Sequence, residues 1–176
     1  MRFGWVSPFV LAGVLAVSAC NRGDAAPGDD AEANARAAAF FLSSNARAEG
    51  VRTTASGLQY KVLASGPSGA PSPDRNDLVR VDYEGALTDG TIFDSSFAKG
   101  IPFATHVDEV VPGWTEALQL MKPGDEWMLY LPPELGYGAQ GQGADIPGNS
   151  VLVFRVKLLD VAPVPGGGRG VGLATG

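Results

Sequence analysis

The apolar residues of this chain change their period along its length. Leu58-Gln59-Tyr60-Lys61-Val62-Leu63 alternates and predicts a strand. Leu78-Val79-Arg80-Val81-Asp82-Tyr83-Glu84-Gly85 predicts another, with Val79, Val81 and Tyr83 on one face. Asp89-Gly90 is a turn signal, after which Thr91 to Phe93 returns. Pro102 to Val107, Glu126 to Leu131 and Val151 to Val161 give three further strands. Pro112 to Met121 differs, because Trp114, Ala117, Leu118 and Met121 recur at helical spacing. Pro112 suits a first helical turn, and Pro123-Gly124 closes the segment. The pattern therefore predicts about five or six strands around one short helix. That is an α+β domain whose twisted antiparallel half-barrel sheet wraps the Pro112–Met121 helix.

Outside this pattern the chain is simpler. Gly66 to Asp77 and the glycine-bearing stretch Leu135 to Ser150 read as loops. Ala31 to Glu49 is alanine-rich and predicts a helix, with Gly50 as its stop. Its Phe40-Phe41-Leu42 knot fits either an arm that docks on the domain or lies exposed, or a dimerisation helix. Arg2 followed by the apolar run Phe3 to Val17 reads as an export signal. That run is about 15 residues, short of the ~20 needed to span a bilayer. The organisation expected is a lipoprotein signal peptide over 1–19, a flexible tether over 20–30, a helical arm over 31–50, a folded domain over 51–162 and a disordered Gly/Pro tail over 163–176.

Composition narrows the chemistry. The 176 residues are 45% hydrophobic, enough for one core. The 24 glycines and 13 prolines fit a turn-rich domain with few long helices. A formal charge of -6 argues against a nucleic-acid partner, which would need clustered Lys and Arg. One cysteine, Cys20, excludes an internal disulfide, and one histidine, His106, leaves no histidine-rich metal site. His106 fits a partly exposed strand residue better than a base or ligand, since no second ligand or nucleophile is spaced to join it.

Val17-Ser18-Ala19-Cys20 places small residues before that single cysteine and resembles a bacterial lipobox. The resemblance implies cleavage before Cys20, a diacylglycerol on its thiol and acylation of its new amino group. Several acyl chains together give stable membrane anchoring. The alternative is ordinary cleavage and a soluble periplasmic protein.

The stretch from Val79 to Phe154 holds the candidate site. Tyr83, Phe93, Phe103, Val110, Val111, Trp114, Tyr137, Ile146 and Phe154 are apolar or aromatic residues set among turns. Asp94 is an acid in the otherwise uncharged run Thr91-Ile92-Phe93-Asp94-Ser95-Ser96. Taken singly, each aromatic fits a core position and Asp94 fits a turn. Together they suggest a concave aromatic pocket with a few polar groups, rather than a nucleophile–base pair or a metal site.

Five pieces in order resemble the FK506-binding-protein (FKBP) type of peptidyl-prolyl cis-trans isomerase. They are Val81-Asp82-Tyr83-Glu84-Gly85, Gly90-Thr91-Ile92-Phe93-Asp94-Ser95-Ser96, Val110-Val111-Pro112-Gly113-Trp114, Leu135-Gly136-Tyr137-Gly138-Ala139 and Val151-Leu152-Val153-Phe154. The lead-in Thr53 to Tyr60 resembles the bacterial periplasmic, macrophage-infectivity-potentiator-like branch. The resemblance implies an FKBP-like fold, isomerisation of X–Pro bonds in exported polypeptides, and no cofactor or metal. It implies Trp114 as the floor under the proline ring, with Tyr83, Phe93, Phe103, Val110, Val111 and Phe154 as walls. It implies that the Tyr137 hydroxyl and the Ile146 N–H hold substrate carbonyls, and that Asp94, oriented by Tyr83, faces the reacting imide. It also implies a pocket for FK506- or rapamycin-type macrolides. Lys99 stands where some relatives carry Arg. Gln142 and Asp145 stand where some carry His and an apolar residue, and Asp145 puts a charge at the rim. The arm is shorter than that branch's dimerisation domain, so a monomer is expected. The competing reading of the same groove is a non-catalytic holdase that binds unfolded segments.

Overall fold

The computed structural model describes residues 27–165. The predicted signal peptide, Cys20 and the tail beyond Pro165 lie outside the described residues. The order of elements is α1 (Pro27–Asn45), β1 (Val51–Thr53), β2 (Gln59–Ala64), β3 (Leu78–Leu87), β4 (Ile92–Ser95), α2 (Ser96–Lys99), β5 (Phe103–His106), α3 (Pro112–Leu120), β6 (Glu126–Leu131) and β7 (Leu152–Ala162). Short 3-10 turns occupy Val107–Glu109, Pro133–Leu135 and Gly138–Gln140.

The strands form one antiparallel sheet in the order β1-β2-β6-β7-β3-β4, with β5 also paired to β3. Alternation decides which face is covered. Val79 and Val81 of β3, Trp127, Leu129 and Leu131 of β6, and Leu152, Phe154, Val156 and Leu158 of β7 are buried. α3 lies against that face with Trp114, Ala117 and Leu118, and Met121 just past its end, all buried. Gly113 permits this approach. A Cβ there would lie 2.5 Å from Cγ of Leu131, so any larger residue would lift the helix off the sheet.

The sheet around α3 is the expected α+β architecture. Two small elements add to it. β1 is only three residues long, and α2 is a single turn capped by the Ser95 side chain, which accepts from the Ala98 N–H. Gly100 ends α2 in the left-handed region, at φ 67°.

The arm differs from the expected span in both directions. α1 starts at Pro27, inside the stretch read as a tether, and stops at Asn45, before Gly50. Proline is preorganised for a first helical turn. At the other end, Asn45 is drawn to the domain, where its amide donates to Gln59 Oε1 at 2.8 Å. The Gln59 amide in turn donates to the Leu42 carbonyl at 2.9 Å. Phe41 packs on Tyr130 with ring centroids 6.1 Å apart, while Phe40 is exposed. Asn34 donates to the Gly148 carbonyl and Asn149 to the Ala31 carbonyl, so α1 also touches the loop before β7. At the C-terminal side, the Val164 N–H donates to buried Asp77 at 2.9 Å, which ties the first residues past β7 to the loop before β3.

Candidate active site

Tyr83, Phe93, Asp94, Phe103, Val110, Val111, Trp114, Tyr137, Ile146 and Phe154 line one cavity of about 680 Å³. They come from β3, β4, β5, the entry to α3, α3 itself, the loop after β6 and β7. Glu109, Gln142 and Asp145 complete its rim. His106 is not among the lining residues; its Nδ1 is 2.9 Å from the Asn76 carbonyl.

The floor is Trp114, 4% exposed. Tyr83 and Phe154 both stand edge-on to it, with centroids 5.2 Å away and interplanar angles of 85° and 83°. Phe93 stands edge-on to Phe154 at 5.6 Å, and Phe103 to Tyr83 at 5.8 Å. Edge-to-face contacts of this kind add about 0.5–1.5 kcal/mol each beyond burial. They also set the ring orientations that shape the cavity. Gly85 on β3 is part of this construction. A Cβ there would lie 2.6 Å from the rings of both Phe93 and Phe154.

Asp94 is held from three directions. The Tyr83 hydroxyl donates to Oδ2. The Lys99 ammonium lies 2.5 Å from Oδ1, and the Ser95 N–H donates to the same oxygen at 2.9 Å. Lys99 is brought there by α2, whose first residue, Ser96, accepts from the Tyr83 N–H and donates to Asp82. Burial pushes the Asp94 carboxyl up, but the hydrogen bonds from Lys99 and Tyr83 and the Lys99 charge outweigh it and hold it below the usual aspartate value. Burial first, then the bond to Asp94, pushes the Tyr83 phenol well above its ordinary value.

One backbone donor is placed differently from the expectation. The Ile146 N–H donates to the Gln142 carbonyl at 3.2 Å, and Gln142 returns a bond to Ile146 at 2.8 Å. That N–H is therefore engaged within the loop. The Val111 N–H, at the mouth of α3, makes no hydrogen bond to a described residue. The Tyr137 hydroxyl likewise bonds to no described residue, and its side chain is partly exposed. Tyr137 was legible as a polar residue in a glycine-rich loop. A backbone donor at Val111 carries no side-chain signal, although its place before Pro112 marks a helix N-terminus, where N–H groups lack partners.

The arrangement is a ring-walled cavity with hydrogen-bond donors that bond to no described residue, an ion-paired carboxylate and further polar residues at its rim. The sequence pattern of the FKBP-type peptidyl-prolyl cis-trans isomerase matches residues 69–159, and that of the domain amino-terminal to it matches residues 17–62. The chain is 49% identical over 132 residues to a probable FKBP-type peptidyl-prolyl cis-trans isomerase FkpA of Neisseria meningitidis, covering 75% of this chain and 48% of that one. It is 44% identical over 131 residues to the outer membrane protein MIP of Legionella longbeachae, covering 74% and 55%. The crystal structure of FkpA from Escherichia coli superposes with a TM-score of 0.74 at 42% identity, covering 79% of this chain and 64% of that chain. The chain thus spans about half the length of the curated relatives it matches. Because the pattern covers the whole ring-walled cavity, and the same fold recurs at more than 40% identity, the chain belongs to the FKBP-type peptidyl-prolyl cis-trans isomerases, in their bacterial macrophage-infectivity-potentiator-like branch.

Proposed function

We propose that the chain accelerates rotation about X–Pro bonds in exported polypeptides. The observation that carries this reading is the ring-walled cavity over Trp114, with Asp94 held ionised in its wall. Rotation about a peptide bond faces a barrier of about 18–20 kcal/mol from amide resonance. No covalent bond breaks, so a catalyst need only bind the twisted amide better than the planar one. Water hydrogen bonds favour the charge-separated planar form, and a cavity walled by Tyr83, Phe93, Phe103 and Phe154 removes them. The proline ring rests on Trp114, against Val110 and Val111. The Tyr137 hydroxyl and the Val111 N–H hold substrate carbonyls on either side of the rotating bond, and Ile146 contributes apolar surface. The Asp94 carboxylate, oriented by Tyr83 and Lys99, favours the dipole of the twisted state, an electrostatic preorganisation that costs nothing at the moment of reaction.

The test is a protease-coupled isomerisation assay on the chain lacking residues 1–19, with and without an FK506-type macrolide. Acceleration that the macrolide abolishes supports the reading and the macrolide pocket. A folded protein that gives no acceleration overturns it.

We further propose that Cys20 is lipidated and holds the protein in a bacterial envelope membrane, facing the periplasm. The support is the lipobox-like Val17-Ser18-Ala19-Cys20 and the likeness to a protein named an outer membrane protein. Mass spectrometry of the membrane fraction tests this: the mature N-terminus carries acyl chains, or the idea fails. We also propose a monomer. The support is that Ala38 of α1 is buried, Phe41 packs on Tyr130, and the Leu42 carbonyl accepts from Gln59, all within one chain. Light scattering at micromolar concentration decides it.

A further inference from the structure

We propose that Glu109 and Asp145 make the cavity select proline peptides that carry a lysine or arginine beside the proline. The inference deepens the isomerase reading and rests on it. Three acidic residues, Asp94, Glu109 and Asp145, line the cavity, and among the described residues no Lys or Arg does. Asp94 is matched by Lys99. Glu109 and Asp145 are exposed, and neither forms an ion pair with a described residue. The rim therefore presents two uncompensated negative charges to whatever enters.

The surface next to it has the same sign. A second cavity of about 580 Å³ adjoins the first at Val110, and its charged lining is Asp108 and Glu116 against Arg75 alone. The chain as a whole carries a formal charge of -6, so no opposing field masks the rim.

A substrate with its proline on Trp114 must carry its neighbouring residues across this rim. An extended chain advances about 3.5 Å per residue. The side chain next to the proline thus comes within one Debye length of the rim, about 8 Å at physiological salt. A lysine there meets two unmatched carboxylates, and a glutamate adds a third like charge. Exposed charge pairs are individually weak. Two acting together give a preference of about three- to tenfold for Lys over Glu at low salt.

The experiment uses the chain lacking residues 1–19 and three peptides that differ only in the residue before proline: Lys, Leu or Glu. For each, kcat/KM and a Kd from NMR titration are measured at about 20 mM and about 1 M salt, where the Debye length shrinks to about 3 Å. The expected result is a Lys/Glu ratio of at least about three at low salt that collapses toward one at high salt. The Glu109→Gln/Asp145→Asn double variant removes the low-salt preference, while Asp30→Asn/Glu49→Gln, an equal charge change at two exposed sites outside the cavity, retains it. A wild-type ratio near one, or a ratio that survives in the double variant, overturns the proposal. Failure of the isomerase reading has a different signature: no acceleration of the Leu peptide. The Kd ratio still decides the rim in that case.

Discussion

The Tyr83 phenol on β3 donates its hydrogen bond to Asp94 on the neighbouring strand β4, across the antiparallel pair in which Asp94 faces Gly85. With Lys99 on the other oxygen, both oxygens of the carboxylate are held. The shifts of the two groups run in opposite directions: Asp94 stays ionised below the usual aspartate range, and Tyr83 keeps its proton well above the usual phenol range. Neither group titrates near neutrality. The pair therefore contributes no inflection to kcat/KM between about pH 5 and pH 9, and activity falls only as the pH drops below about 3.9. An inflection near neutrality that Asp94→Asn removes would contradict this assignment.

Asp94→Asn preserves the shape of the side chain and removes its charge. The side chain is about a third exposed, so water screens part of the effect. A drop in kcat/KM of about tenfold is expected, less than the roughly 100- to 1000-fold that a water-excluded preorganised group contributes, because exposure screens this one. A circular dichroism spectrum and melting temperature near those of the wild type would assign the loss to chemistry. Full activity in the variant would leave the aromatic cavity alone to explain catalysis.

Gly85→Ala tests the cavity walls from behind. The backbone of Gly85 needs no positive φ, so the effect is steric only. The new methyl would meet Phe154 and Phe93 at 2.6 Å, and both rings must turn. Overpacking of this kind costs about 1–3 kcal/mol. Because the displaced rings are walls of the cavity, melting temperature and kcat/KM should fall together. A stable variant with unchanged turnover would show that the ring positions do not matter.

The parts of this fold that were legible in the sequence are those in which one face is buried. Val79, Val81 and Tyr83 alternate because β3 has α3 on one side, and Trp114, Ala117 and Leu118 repeat at helical spacing for the same reason. β1 and α2 are too short to show a period; α2 announces itself only through Ser95 before it and Gly100 after it. The end of α1 was misplaced because Gly50 gave a local stop signal, whereas the helix ends where Asn45 reaches Gln59, a contact no local pattern encodes. The side chains of the site were legible from their motifs. The backbone donors were not, because the fate of the Ile146 N–H depends on how the loop from Gln142 folds back on itself, with Gly141 and Gly143 both at positive φ.

Deleting α1 should weaken the domain without disabling it. A chain that starts at Arg47 loses the Phe41 contact with Tyr130 and both partners of the Gln59 amide, a side chain now 4% exposed. The expected loss is about 1–3 kcal/mol, a fall of several degrees in melting temperature. Burial now holds the Tyr130 phenol above its ordinary value, so the deletion should also bring its titration back toward about 10. Turnover should persist, because no residue of α1 lines the cavity. An unchanged melting temperature would mean that α1 is not docked in solution.

Asp125 should account for part of the acid sensitivity of the fold. It is 3% exposed and accepts from the Gly66 N–H at 2.7 Å, the Lys122 N–H at 3.1 Å and the Lys122 ammonium at 2.5 Å. Burial raises its carboxyl, but these bonds and the Lys122 charge outweigh that and leave it below the usual aspartate value. A depressed folded-state value gives stability that is present above the unfolded value, about 3.9, and is lost as pH falls through the folded one. Asp125→Asn cannot ionise, so it lacks this contribution at every pH. At neutral pH it should be less stable than the wild type by about 1–3 kcal/mol, with Lys122 left beside a neutral amide. Denaturant titrations between about pH 7 and pH 2 should show the two proteins converging at the acid end as the wild-type carboxyl takes up its proton. A gap that stays constant across that range would show that the ionised form of Asp125 contributes nothing beyond its shape.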